Sequence, residues 1–154
     1  DGGFKDTDDY IYITGRVDDV INVAGHRLST AEMEEIVASH HSVAECAVIG
    51  INDELKGQIP LALVVAKSGE DIEHFQLQYE VVHLVREQIG AVASLRDVVV
   101  VNRLPKTRSG KILRKMMRSI ADGEQFQIPS TIDDEAIIDE IRDVLEHAKI
   151  GCFK

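Results

Sequence analysis

The chain has 154 residues, and 17 Lys and Arg against 27 Asp and Glu give a formal net charge of −10. Hydrophobic residues at 44% and charged residues at 29% are ordinary globular usage, which excludes a disordered, collagenous or disulfide-scaffold chain. One domain of this size buries roughly 68–70% of the surface its unfolded chain exposes, and net acidity argues against general nucleic-acid binding, so any anion site has to be local. The longest apolar run, Ile59 to Ala66, falls far short of the roughly 20 residues of a membrane span. Cys46 sits in the apolar stretch Val43–Ile51 and reads as a buried thiol. Cys152 lies near the C-terminus, and no disulfide is expected. The chain opens on Asp1-Gly2-Gly3 with no Met, no basic region and no apolar signal segment, which reads as a piece of a longer protein whose targeting region is elsewhere.

Taken in chain order, Tyr10–Thr14 and Val20–Val23 are β-type runs around Gly15–Asp19 and predict a hairpin. Ser29 with Glu32 three residues on is a capping box, opening a helix with Met33, Ile36 and Val37 as its stripe. Val43–Ile51 reads as a strand, Asn52–Gly57 as a polar turn, and Ile59–Ala66 as a strand covered on both faces. A helix is predicted over 74–89, with Phe75, Tyr79, Val82, Val85 and Ile89 inward and Gly90 ending it. Val98–Val101 is another strand. Ser109 is the candidate cap of a helix carrying Ile112, Leu113, Met116, Met117 and Ile120. After a polar link, 122–130, a last helix carries Ile137, Ile138, Ile141, Val144 and Leu145. The class is α+β: an N-terminal β-hairpin, then a small mixed sheet flanked by helices.

Charge is unevenly placed. Arg103, Lys106, Arg108, Lys111, Arg114, Lys115 and Arg118 fall in a segment with no acidic residue, whereas Asp122–His147 holds nine acidic residues and one Arg. Two solvated helix faces of opposite sign, pairing with each other, account for Arg114, Lys115 and Arg118. They do not account for Leu104-Pro105-Lys106-Thr107-Arg108-Ser109-Gly110-Lys111. Cations at a helix N-terminus oppose the dipole, so Gly110 and Lys111 there make sense when an anion arrives between them. Pro105 stands where a P-loop needs its first Gly, so this is not a P-loop. A second constellation is Thr14–Arg27, where Arg16 and Arg27 flank a turn and either converge on a phosphate or decorate a surface hairpin. His40 and His41 are adjacent and lack the i, i+4 spacing of a helical metal pair. His26 reads as a packed or hydrogen-bonding side chain rather than an acid–base catalyst.

Thr14–Arg27 with Leu28-Ser29-Thr30-Ala31-Glu32, followed by Leu104–Lys111 and Ser130-Thr131-Ile132-Asp133-Asp134, resembles the C-terminal domain of short-chain acyl-CoA synthetases (the acetyl- and propionyl-CoA type) of the adenylate-forming family. The resemblance covers nearly the whole chain. It implies a single C-terminal lid domain over 1–154 of a longer chain, with a hinge near 16–19, a helical extension at about 122–148 and the large N-terminal domain absent. It implies a ligase that activates a short-chain carboxylate (propionate favoured, acetate next) with ATP to an acyl-adenylate and pyrophosphate, then transfers the acyl group to CoA. The fragment alone is expected to be inactive. ATP, CoA and Mg2+ accompanying ATP are the implied cofactors, and the N-terminal domain the implied partner, with no nucleic acid and no membrane. An intracellular site, mitochondrial matrix or cytoplasm, is expected.

Carried over residue by residue, the resemblance makes Lys111 the catalytic lysine and gives Asp1, Arg16 and Arg27 to ATP. Asp18 becomes the hinge, and Arg86, Ala24 and Gly25 contact CoA. Ala24 departs from the Ser often found there, which removes a hydroxyl contact. No side-chain metal site is implied, but the backbone carbonyls of Ala38, His40 and Val43 match a magnesium site of some relatives. Two alternatives stand beside this reading. One is the C-terminal subdomain of a peptide-synthetase-type adenylation module, which needs no CoA phosphate clamp at Arg86. The other is a non-catalytic binding module using the Arg103–Arg118 face.

Overall fold

A computed structural model describes residues 2–5 and 11–15 by their backbone, and residues 20–69 and 72–153 in full. The elements are β1 (Gly2–Lys5), β2 (Ile11–Gly15), β3 (Val20–Val23), β4 (His26–Ser29), α1 (Thr30–Ala38), β5 (Val43–Asp53), β6 (Gly57–Ala66), α2 (His74–Gln88), β7 (Asp97–Val100), α3 (Arg114–Asp122) and α4 (Ala136–Ala148). The main sheet runs β4-β3-β6-β5, with β7 also on β6. The β6–β7 pair is parallel and the others antiparallel, giving the expected mixed α+β class.

The predicted hairpin is replaced by two others. β2 pairs with β1, from Lys5 opposite Ile11 to Gly2 opposite Gly15, while β3 turns back onto β4. The second turn is the two-residue Ala24–Gly25, with φ of 51° and 86°. Positive φ at both central residues matches the right-handed twist of the flanking strands. The run His26-Arg27-Leu28-Ser29 that completes it is too polar to read as a strand.

Alternation along β6 builds two cores. Leu61 and Leu63 face Met117, Ile120, Ile137, Ile141 and Leu145 of α3 and α4, whereas Ala62 and Val64 face Met33, Val37, Leu77, Val81 and Val85 of α1 and α2. Both faces of this strand are covered, as its continuous apolar run predicts. Pro60 is tolerated because its nitrogen points, like the Val64 carbonyl that accepts from Val101, toward the β7 side of β6, and β7 pairs only from Leu61 onward. The stripe of α2 differs from expectation: Leu77, Val81 and Val85 are inward, while Phe75 (77% exposed) and Tyr79 (59%) face outward. The slimmer aliphatic stripe packs on the sheet, and Val82 and Ile89 are half-buried at its margins.

Ser29 caps α1 as predicted, its Oγ accepting from the Glu32 N–H at 3.2 Å. α3 does not start at Ser109. Gly110 N–H donates to the Thr107 carbonyl at 2.9 Å and Gly110 has φ of 92°, so the chain makes a tight turn, Lys106 bridges Ile112, and the helix begins at Arg114. Lys111 therefore sits on the returning limb of a turn rather than at a helix N-terminus. Among the described residues no helix is long and apolar enough to cross a membrane.

Candidate functional site

Two places gather the candidate residues. The first is a corner where the β3–β4 turn meets the β5–β6 turn. Ala24 N–H donates to the Lys56 carbonyl at 2.8 Å, and Lys56 Nζ donates to Ser94 Oγ at 2.8 Å, which ties in the segment following α2. Ala24 and Gly25 are exposed there, and Arg86 stands exposed in the last turn of α2. Ala24 holds a left-handed conformation that costs a non-glycine residue roughly 1–2 kcal/mol. A Cβ on Gly25 would meet nothing within 4 Å, so the open space over this backbone is available to a ligand. Arg27 is exposed on β4 opposite Asn22, and His26 is exposed rather than packed.

The second place is the free edge of β5 on the α3 side. Val48 and Asn52 direct their N–H groups away from β6, to Glu34 Oε1 at 2.9 Å and Asp122 Oδ1 at 2.9 Å. Glu34 also makes a two-pronged pair with Arg114, Nε to Oε1 and Nη2 to Oε2, both 2.7 Å. Lys106 pairs with Glu45, and Arg103 with Glu140 and, at 2.9 Å, Asp134. The pairing of basic and acidic segments expected for Arg114, Lys115 and Arg118 is not what forms: Arg114 goes to Glu34 of α1, Lys115 and Arg118 make no ion pair among the described residues, and it is Arg103 that reaches the acidic segment. Lys111 is exposed, and among the described residues its ammonium makes no ion pair. Thr107 Oγ1 accepts from its backbone N–H at 3.1 Å, and Thr107 N–H donates to its carbonyl at 2.9 Å. The backbone is fixed while the side chain is uncommitted.

The sheet separates the two places, with Lys111 in the α3 layer and Arg86 in the α2 layer. Asp1, Arg16, Asp18 and the hinge segment 16–19 lie outside the described residues. Of the backbone group Ala38, His40 and Val43, the His40 carbonyl accepts the Val43 N–H at 3.1 Å. The His40 ring is spent on structure: Nδ1 accepts from Ser42 N–H at 3.0 Å and Nε2 lies 3.2 Å from Glu80 Oε1. Glu80 is held below the usual carboxylate range by hydrogen bonds from Gln76 first and His40 second. Among the described residues no three His, Cys, Asp or Glu are arranged to hold a metal. Both cysteines are free, Cys46 buried and Cys152 exposed. Glu34, Gly50 and Phe126 escaped the sequence reading; no signal in the chain links Glu34 to Arg114 across 80 positions.

The AMP-binding enzyme C-terminal domain family matches residues 32–111, and the chain belongs to that family. It is 47% identical over 148 residues to the mitochondrial acyl-CoA synthetase short-chain family member 3 of Mus musculus, covering 96% of this chain and 22% of the relative. It is 47% identical over 151 residues to the acetyl-coenzyme A synthetase of Penicillium chrysogenum, covering 97% and 22%. Among solved structures, the Brucella canis acyl-CoA synthetase superposes with a TM-score of 0.61 at 34% identity, over 76% of this chain and 21% of that one. The chain thus spans under a quarter of the length of these relatives.

Proposed function

We infer that this chain is the mobile C-terminal lid, residues 1–154, of an AMP-forming short-chain acyl-CoA synthetase whose large N-terminal domain completes the active site. The fragment alone is inactive on this reading. In the first step a carboxylate oxygen attacks the α-phosphorus of ATP, and the bond to the β-phosphate breaks, releasing pyrophosphate. In the second the CoA sulfur attacks the acyl carbon, its proton is lost, and AMP leaves with the electron pair of the acyl–oxygen bond. ATP carries its Mg2+, and the backbone group Ala38, His40 and Val43 is a second, structural place for that ion. Propionate is the favoured acid and acetate the next, by the likeness of the Gly25–Glu32 and Ser130–Asp134 stretches to the propionyl branch. The setting is intracellular, mitochondrial matrix or cytoplasm.

The observation that carries this reading is the state of Lys111. Lys106, Arg103 and Arg114 are neutralised by carboxylates, and Lys111 stands on a hydrogen-bonded turn with its charge unspent. Such a point charge is suited to the negative charge that builds on the reacting oxygens. Asp1, Arg16 and Arg27 hold the nucleotide, a torsion change at Asp18 swings the lid, and Arg86 with the open backbone of Ala24 and Gly25 takes CoA. The two steps then use opposite faces of one small sheet. The test is pyrophosphate exchange into ATP by the full-length parent with acetate, propionate and butyrate. Carboxylate-dependent exchange that disappears in Lys111→Ala supports the reading, and absence of exchange with every acid overturns it.

A further inference from the structure

The free edge of β5 borders a cavity of about 730 Å3 whose other walls are α3 and the link over residues 124–129. Strand geometry aims Gly50 at it. Val48 and Asn52 turn their N–H groups outward, so Gly50, two residues from each, presents both its N–H and its carbonyl to the same side. Glu34 closes one end of this edge and Asp122 the other, and among the described residues no side chain caps Gly50 between them. Lys111, Lys115 and Arg118 line the cavity against a single lining carboxylate, Glu124, and Phe126 contributes a half-buried ring. Arg114 also lines it, neutralised by Glu34.

We propose that this cavity is a nucleotide-binding site, with the base edge hydrogen-bonded to the Gly50 backbone and the phosphates held by Lys115 and Arg118. A donor and an acceptor side by side on one extended residue match the acceptor–donor edge of a purine, in the way a further strand would pair there. Phe126 supplies an apolar face of the kind that bases pack on. Lys115 and Arg118, which among the described residues are engaged by no carboxylate, are the complement of a di- or triphosphate. Gly50 itself is required by packing on the other face of the sheet, where a Cβ would collide with the Ile21 side chain, so the cavity meets the strand through its backbone alone. The site is separate from Arg27 and from the Ala24–Gly25 corner; it shares Lys111 with the candidate catalytic edge, so its own contacts are those of Gly50, Lys115 and Arg118.

The experiment is amide NMR and calorimetric titration of the 154-residue chain with ATP, AMP and inorganic pyrophosphate. ATP should shift the Gly50 and Lys115 amides, and Arg118→Gln should weaken it about tenfold, the loss expected for one charge-assisted contact. Lys115→Gln, at an exposed position where folding is not in question, should weaken it severalfold. AMP should shift Gly50 with lower affinity. Pyrophosphate binding as tightly as ATP would overturn the base contact, leaving an adventitious anion site only. Shifts confined to Gly25 and Arg27, or no binding at millimolar ATP, would overturn the proposal outright.

Discussion

The Ala24–Gly25 corner and the Lys111 edge solve different problems with different parts of the chain. The corner is made of backbone: a two-residue turn with positive φ, one N–H to Lys56, and empty space where a side chain would stand. The edge is made of charge: Glu34 and Glu45 absorb Arg114 and Lys106 and leave Lys111 unspent. A backbone site tolerates side-chain exchange so long as the torsions hold, while a charge site fails with one residue. On the function proposed above, the two should therefore respond to mutation in different ways and in different half-reactions.

The sharpest way to break the contrast is Lys111→Ala in the full-length parent. Losing one preorganised charge from a transition state costs roughly 10²–10³ in rate, so pyrophosphate exchange should fall by at least that much. CoA attack on supplied acyl-adenylate should continue, because the opposite face is intact. Equal loss of both half-reactions would mean that the two faces are not separate.

Next in size is Glu34→Ala. Its carboxylate serves Arg114 twice and the Val48 N–H once, from a side chain only 17% exposed. Hydrogen bonds to charged groups contribute about 1.5–3 kcal/mol each, less where water has access, so the variant should lose about 2 kcal/mol in denaturant unfolding. Glu34→Gln should lose less, since it keeps the bond to Val48. If Glu34→Ala unfolds at the wild-type midpoint, the edge is not held by this pair.

A smaller effect separates the two residues of the corner. Gly25→Ala forces a Cβ into φ of 86°, and Ala24→Gly removes one from φ of 51°. The first should destabilise by about 1 kcal/mol and the second stabilise by somewhat less, because glycine also loosens the unfolded chain. Calorimetric melts check both. With CoA as the varied substrate, Gly25→Ala should raise KM, whereas pyrophosphate exchange should stay near wild type. Changes of the same sign in both melts would mean that strain is not what defines the turn.

How much of this was legible follows the range of each interaction. The Ser29 cap, the doubly covered strand Ile59–Ala66 and the last helix depend on neighbours no more than four residues away, and all formed where the pattern placed them. The first hairpin was misplaced because the pairing of β2 with β1 rests on a segment with no strong apolar alternation, and β4 is polar. The start of α3 was misread because Ser109 imitates a cap, while Gly110 in its left-handed torsion decides the turn. At the candidate site, Lys111 and the Ala24–Gly25 turn carry local motifs and were visible. The pairing of Glu34 with Arg114 and the bare backbone at Gly50 exist only once α1, α3 and β5 meet, and nothing local announces them.

The smallest expected effect uses Cys46 as a reporter of the closed edge. Its Sγ donates to the Glu34 carbonyl at 3.3 Å, and burial first, then the Glu34 carboxylate, push the thiol up to about 11. The thiolate is the reactive form, so at pH 8 a maleimide should label exposed Cys152 and leave Cys46 until the chain unfolds. Without the Glu34 charge the Cys46 thiolate is repelled less, and removing the side chain opens the edge. Both act in the same direction, so Glu34→Ala should speed Cys46 labelling severalfold at pH 8, with Cys152 unchanged. The same acceleration in Asp122→Ala, at the far end of β5, would point to general loosening and would cancel Cys46 as a local probe of the Glu34 closure.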